Sequence, residues 1–177
     1  MRELLDEVHP DCQWVFAGEG VATRKYDGTC VKIENGDYFK RREVEKDGDA
    51  PEDFIEEQFD ENTGKRVGWI LVDHESKENR WHMDAYNLYD ASKLEDGTYE
   101  LLGPKIQKNP ERLERHCLFM HKYAEQYTDV PRTYEGLMEW LSNKDIEGIV
   151  FHHPDGRMGK IKKKDFGQKR IQPANEL

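Results

Sequence analysis

The chain is short of cysteine, of long apolar runs and of net positive charge. Cys12, Cys30 and Cys117 are its three cysteines, and they stand far apart in 177 residues. An odd, scattered set excludes a disulfide framework and fits a reducing cytoplasm. No run of eighteen apolar residues exists, so no membrane span and no membrane partner are expected. Residues 1–20 lack a basic start followed by an apolar core, so no secretory signal is expected. The formal charge of −10 sets the chain, taken as a whole, against a general nucleic-acid binder. Hydrophobic and charged residues each make up 36%, which means a modest core, while 11% aromatics speak against disorder. The length suits one domain over residues 1–177.

The charge is unevenly placed. Asp47 to Glu61 carries eight acids and no base. Residues 157–170 reverse this, with Arg157, Lys160, Lys162, Lys163, Lys164, Lys169 and Arg170 against Asp165 alone. Either run reads as a solvated face, but a phosphate ligand would meet the second.

Along the chain, Arg2 to Val8 reads as a short helix stopped near Pro10, and Trp14-Val15-Phe16 as a first strand. Val21-Ala22-Thr23 and Cys30-Val31-Lys32-Ile33 read as strands joined by a tight turn at Asp27-Gly28. Asn35-Gly36 turns the chain into a strand over Tyr38 to Val44, completing a three-strand meander. Residues 45–66 read as an exposed excursion with a helical turn at Phe54-Ile55. Gly68 to Asp73 reads as a buried strand, Trp81 to Tyr89 is ambiguous, and Gly97 to Gly103 is a strand. Residues 104–110 form a basic loop, and His116 to Tyr123 reads as a strand. Thr133 caps a helix over 134–142, where Leu137, Trp140 and Leu141 share a face. Ile146 to His152 and Met158 to Lys162 form a last hairpin through Pro154-Asp155-Gly156. Strands dominate, mostly antiparallel: an α+β fold.

The stretch that carries chemistry is Lys25-Tyr26-Asp27-Gly28. A lysine at a strand end has its amine aimed by backbone pairing. To act as a nucleophile it must shed a proton, and a free lysine amine is neutral in under about one molecule in a thousand at pH 7. Nearby cations or desolvation favour the neutral amine. Such cations lie at Lys160 and Lys162, two apart on a strand and so on one face. The plain alternative is a surface hairpin with a solvated lysine. Closely spaced His116, Cys117 and His121, and the pair His152-His153, lack paired metal-ligand spacing, so zinc is not expected.

Lys25-Tyr-Asp-Gly, Glu100 before Leu-Leu-Gly-Pro, Glu147-Gly-Ile-Val and Lys160-Ile-Lys162 follow one another in an order that resembles the covalent nucleotidyltransferases, the polynucleotide ligases and capping enzymes. Gly68-Trp69, Trp81-His82, the run from Glu100 to Pro110 and the run from Glu147 to Lys162 resemble the vertebrate-type 5′–3′ RNA ligase family, its phage and bacterial relatives included. The resemblance spans roughly residues 20–168. It implies a nucleotidyltransferase fold of two mostly antiparallel sheets flanking an ATP cleft. It implies ATP, Mg²⁺ (or Mn²⁺), and joining of an RNA 5′-phosphate end to a 3′-hydroxyl end.

The resemblance also implies roles. Lys25 attacks the α-phosphate of ATP, and Lys160 and Lys162 neutralise phosphate charge. Glu147 is the first candidate for the metal. Glu100 contacts ribose or is a second metal-associated acid. Asp27 either orients Lys25 or touches ATP, beside Gly28, whose lack of a side chain admits a ligand. Arg41 or Arg42 fills the place of a basic residue that meets ribose or the RNA phosphate. Lys105, Lys108, Lys163 and Lys164 are candidate RNA contacts or solvated lysines. Phe39, Trp69 and Trp81 stack adenine or pack the core. No OB domain or large C-terminal specificity domain is expected within the sequence. A capping-type guanylyltransferase and a non-catalytic nucleotide- or RNA-binding relative remain as alternatives.

Overall fold

The computed structural model describes residues 4–171. Its helices are α1 (Gln13–Phe16), α2 (Arg80–Tyr86) and α3 (Tyr134–Ser142). Its strands are β1 (Val21–Lys25), β2 (Thr29–Glu34), β3 (Asp37–Val44), β4 (Ile55–Phe59), β5 (Arg66–Leu71), β6 (Gly97–Leu102), β7 (Cys117–Met120), β8 (Gln126–Tyr127), β9 (Gly148–His152) and β10 (Met158–Lys162). Every strand pairing is antiparallel. Among the described residues no helix is long and apolar enough to cross a membrane. The contacts divide the chain into two units: residues up to Asp27 with those from Ala124 on, and Gly28–Tyr123.

The first unit holds a four-stranded sheet in the order β10-β9-β1-β8. Side chains alternate across it, so cross-strand partners share a face. Ala22, Ile149, Phe151 and Ile161 stand on one face, packed with Trp14 and Val15 of α1 and Leu137 and Leu141 of α3. Leu141 and Ile149 are fully buried, each contributing roughly 1.5–3 kcal/mol over exposure. The Thr133 side chain accepts from the Gly136 N–H at 3.1 Å, capping α3 as its sequence signals.

The second unit holds a six-stranded sheet in the order β4-β5-β3-β2-β6-β7. Asn35 (φ 51°) and Gly36 (φ 84°) make the tight β2–β3 turn, both in the left-handed region that an Asn-Gly pair tolerates. Val31, Ile33, Tyr38, Tyr99, Leu101, Leu118 and Met120 form a core with Ala85 of α2. The other face carries Cys30, Lys32, Phe39, Arg41, Trp69, Glu100 and Phe119.

Four sequence expectations need correction. Trp14-Val15-Phe16 is helical: Pro10 opens a 3₁₀ turn instead of ending a helix, and Trp14 Nε1 donates to the Asp11 carbonyl at 2.9 Å. The expected helix over 2–8 is absent at residues 4–8, and its remaining positions lie outside the described residues. Asp27-Gly28 does not close a hairpin. β1 pairs with β8 and β9, β2 pairs with β3 and β6, and the bend carries the chain from one sheet to the other. Phe54-Ile55 makes no helical turn: Ile55 opens β4, whose five residues are all exposed. As an edge strand with a bulge between Glu56 and Gln58, β4 needs no apolar face, so no alternation marks it. The ambiguous Trp81 segment lies in α2, and His116 to Tyr123 contains β7 followed by a 3₁₀ turn at His121–Tyr123.

Candidate active site

In the first unit the register Lys25↔Gly148↔Lys162 and Thr23↔Val150↔Lys160 puts three lysines on the sheet face opposite the core. β9 separates Lys25 from Lys162, and Gly148 is the residue between them. A Cβ there would come within 2.1 Å of the Ile161 carbonyl, so no side chain intervenes. Glu147, just ahead of β9, fills the gap from below. Lys25 Nζ donates to Glu147 Oε2 at 2.6 Å, and Lys162 Nζ lies 3.5 Å from Oε1. The three side chains are only 20%, 11% and 22% exposed for Lys25, Glu147 and Lys162, so water screens them incompletely. Partial desolvation, and then the charges of Lys162 and Lys25, hold the Lys160 ammonium below the usual lysine range. Asp165, which accepts from the Lys162 N–H and acts on Lys160, is a second carboxylate near the three ammonium groups; the positive surplus that remains suits a polyanion such as a triphosphate.

Glu147 serves both lysines: Oε2 accepts from Lys25 and Oε1 faces Lys162.

In the second unit Glu100 is 8% exposed. Its Oε1 accepts from the Gly28 N–H at 3.0 Å and its Oε2 bonds His121 Nε2 at 2.8 Å. A Cβ on Gly28 would come within 2.2 Å of the Leu101 carbonyl. The glycine therefore admits the close approach of β6. Arg41 shares the Glu100 face, whereas Arg42 is exposed on the other side of β3. Arg41 stacks its guanidinium 4.7 Å above the Trp69 ring and pairs with Glu57 and Gln58. Lys32 lies 5.0 and 5.3 Å from the Phe39 and Trp69 centroids. Trp69 and Phe39 are therefore buried on that face beneath cations, and Trp81 is stacked on buried His116 at 4.9 Å. Phe119, opposite Glu100 on β7, was missed as an aromatic candidate on that face.

The remaining candidates separate cleanly. Lys163 is 3% exposed, and its Nζ bonds the backbone carbonyls of Ser142 and Lys144. It is a structural lysine, a correction to its reading as an RNA contact: the amine satisfies carbonyls at and just beyond the end of α3. Lys164, Lys105 and Lys108 are exposed. Lys108 sits in a left-handed run with Gln107 and Asn109 (φ 63°, 49° and 56°), held by two bonds between the Asn109 side chain and the Leu113 backbone. Asp27 occupies the bend between the sheets. An apolar cavity of ≈ 410 Å³ in the first unit is lined by Leu4, Val8, Phe16 and Phe166 and also by Lys160, but not by Lys25, Glu147 or Lys162. Lys32, Phe119 and His121 carry no local motif; only strand pairing reveals them.

Fold and site together define an α+β protein of two antiparallel sheets with a lysine–carboxylate–lysine set suited to an anionic ligand. The chain is similar to RNA ligase 1 of Danio rerio, with 26% identity over 136 aligned residues. The match covers 60% of this chain and 42% of that relative's length. No family model matches the chain.

Proposed function

We propose that this chain is an ATP-dependent RNA ligase with a nucleotidyltransferase fold. One observation carries the reading: Lys25, at the head of a KxDG tetrapeptide, is bonded at 2.6 Å to Glu147, with Lys162 on the far side of the same carboxylate. The similarity to a protein named RNA ligase 1 supports the same class.

The Lys25 amine attacks the α-phosphorus of ATP, a P–N bond forms as the bond to pyrophosphate breaks, and the amine proton passes to Glu147, whose Oε2 lies 2.6 Å from Lys25 Nζ. The AMP passes to an RNA 5′-phosphate, freeing Lys25. A 3′-hydroxyl then attacks that phosphate, forming the phosphodiester and expelling AMP. Lys160 and Lys162 bind the phosphates through the first step. Among the described residues no three His, Cys, Asp or Glu side chains cluster for a metal. A dedicated cage is unnecessary, because Mg²⁺ is commonly held by one or two carboxylates with substrate phosphates and water. Glu147 fits that donor set, and Mn²⁺ would accept the same oxygens; Glu100, with both oxygens engaged, is the ribose contact. When bound, the metal neutralises phosphate charge. Glu147 would be the residue that holds it, and that carboxylate would then be shared between the metal and Lys25. Arg41, Lys105, Lys108 and Lys164 are the basic residues assigned to RNA.

Incubation with radiolabelled ATP or GTP and Mg²⁺ tests this. ATP alone should label the protein, and a 5′-phosphorylated RNA should discharge the label into a joined product. Labelling by GTP alone would make it a capping-type guanylyltransferase, and labelling by neither would make it a binder.

A further inference from the structure

His121 plays no part in the chemistry above, yet both of its ring nitrogens are committed. Nε2 lies 2.8 Å from Glu100 Oε2 and Nδ1 lies 2.9 Å from Thr98 Oγ1. Thr98 and Glu100 are two apart on β6 and share a face, and His121 follows the last residue of β7, beside them. The remaining carboxylate oxygen, Oε1, takes the Gly28 N–H. A chain of contacts thus runs Thr98–His121–Glu100–Gly28.

A carboxylate oxygen accepts, so Nε2 donates to Glu100 Oε2, and the Thr98 hydroxyl, which can donate or accept, meets Nδ1. Each Glu100 oxygen takes one of these hydrogen bonds and keeps a further lone pair. A buried, acceptor-only carboxylate with its rotamer fixed from two sides is built to take a hydroxyl.

We propose that His121 is the positioning residue for Glu100 and that the pair selects a ribonucleotide over its 2′-deoxy analogue. The selection rests on the reading of Glu100 as the ribose contact of an ATP-dependent ligase. A site built around a substrate hydroxyl rejects an analogue without it, because the remaining lone pairs of the carboxylate then go without that hydroxyl's hydrogen bond in a water-poor site. Without His121 the carboxylate can rotate, and that penalty shrinks.

The test compares ATP with 2′-dATP in the self-labelling reaction of wild type, His121→Ala and His121→Gln. Wild type should favour ATP by at least about tenfold in kcat/KM, and His121→Ala should bring that preference to within about threefold. In the alanine variant KM for ATP should rise about tenfold while kcat stays within about threefold of wild type. His121→Gln, whose amide N–H can still reach Glu100, should recover most of the preference. A second measurement needs no nucleotide: exchange of the Gly28 amide hydrogen should quicken about tenfold in His121→Ala while β2 and β3 amides keep their protection. An unchanged ATP preference in a folded His121→Ala protein would overturn the proposal, as would a wild type that labels equally with both nucleotides. Absence of any wild-type labelling would remove the ligase reading and ribose selection with it. Gly28 exchange then decides the positioning role alone, and unchanged exchange sinks it.

Discussion

Replacing Glu147 by glutamine separates charge from shape. The amide keeps the volume of the side chain but removes the one negative charge between Lys25 and Lys162. Lys25, Lys160, Lys162 and Glu147 carry a net +2, which becomes +3 in the variant. One more positive charge about 6 Å from a phosphate is worth roughly 0.7 kcal/mol at water's dielectric and roughly 2.8 kcal/mol at an effective dielectric of 20. A middle value near 1.4 kcal/mol corresponds to about tenfold tighter binding. The variant should therefore bind pyrophosphate or a non-hydrolysable ATP analogue about tenfold more tightly, without metal and at low salt. It should nonetheless lose self-adenylylation by at least about a hundredfold, because neither the metal contact nor a proton acceptor at Lys25 survives. Calorimetric titration reads the first effect and intact mass after ATP and Mg²⁺ the second. Weaker or unchanged binding of the anion, or labelling within a few-fold of wild type, would refute the reasoning.

Other expectations follow from the same contacts. Lys160 loses its proton below the usual lysine range, chiefly through desolvation, so phosphate binding should fail on the alkaline side as that charge disappears. Lys160→Arg keeps its charge and should shift the alkaline limb of the labelling profile upward; an unmoved limb would exonerate Lys160. Gly148→Ala puts a methyl against the Ile161 carbonyl and should lower stability by about 1–3 kcal/mol, seen as a lower urea midpoint. An unshifted midpoint would mean that β9 and β10 part without cost. Burial, and then the charge of Lys40, push His82 down to about 4 from 6.5. The folded protein therefore binds fewer protons than the unfolded one in that window, so the stability this supplies is complete above pH 6.5 and drains as pH falls through about 4. The loss is on the order of 3 kcal/mol, and His82→Gln should flatten it in urea titrations at pH 7.5 and 4.5.

The placement of the candidate residues in the first unit was partly legible because it rests on local signals. Glu147-Gly opens a strand, Pro154-Asp155-Gly156 turns it, and the period of two puts Lys160 and Lys162 on one face. That Lys25 meets them follows from pairing between residues more than a hundred positions apart, which only the resemblance anticipated. The second unit was legible as strands but not as a site. His121 reaches Glu100 through β6–β7 pairing, and Arg41 parts from Arg42 only once β3 has a register. Local cues also misled. Asp27-Gly28 has the composition of a hairpin turn, but its amide goes to Glu100 instead of a facing strand. Trp14-Val15-Phe16 is too short a run for its period to tell helix from strand. Lys163 continues a basic run on paper, and burial turns it inward onto backbone carbonyls.

Peptide mapping by tandem mass spectrometry after brief exposure to ATP and Mg²⁺ puts the central claim to the most direct test. A phosphoramidate-linked AMP should sit on the peptide containing Lys25, should be acid-labile, and should vanish in Lys25→Ala while that protein still unfolds cooperatively. AMP on another residue, or undiminished labelling of Lys25→Ala, would contradict the account.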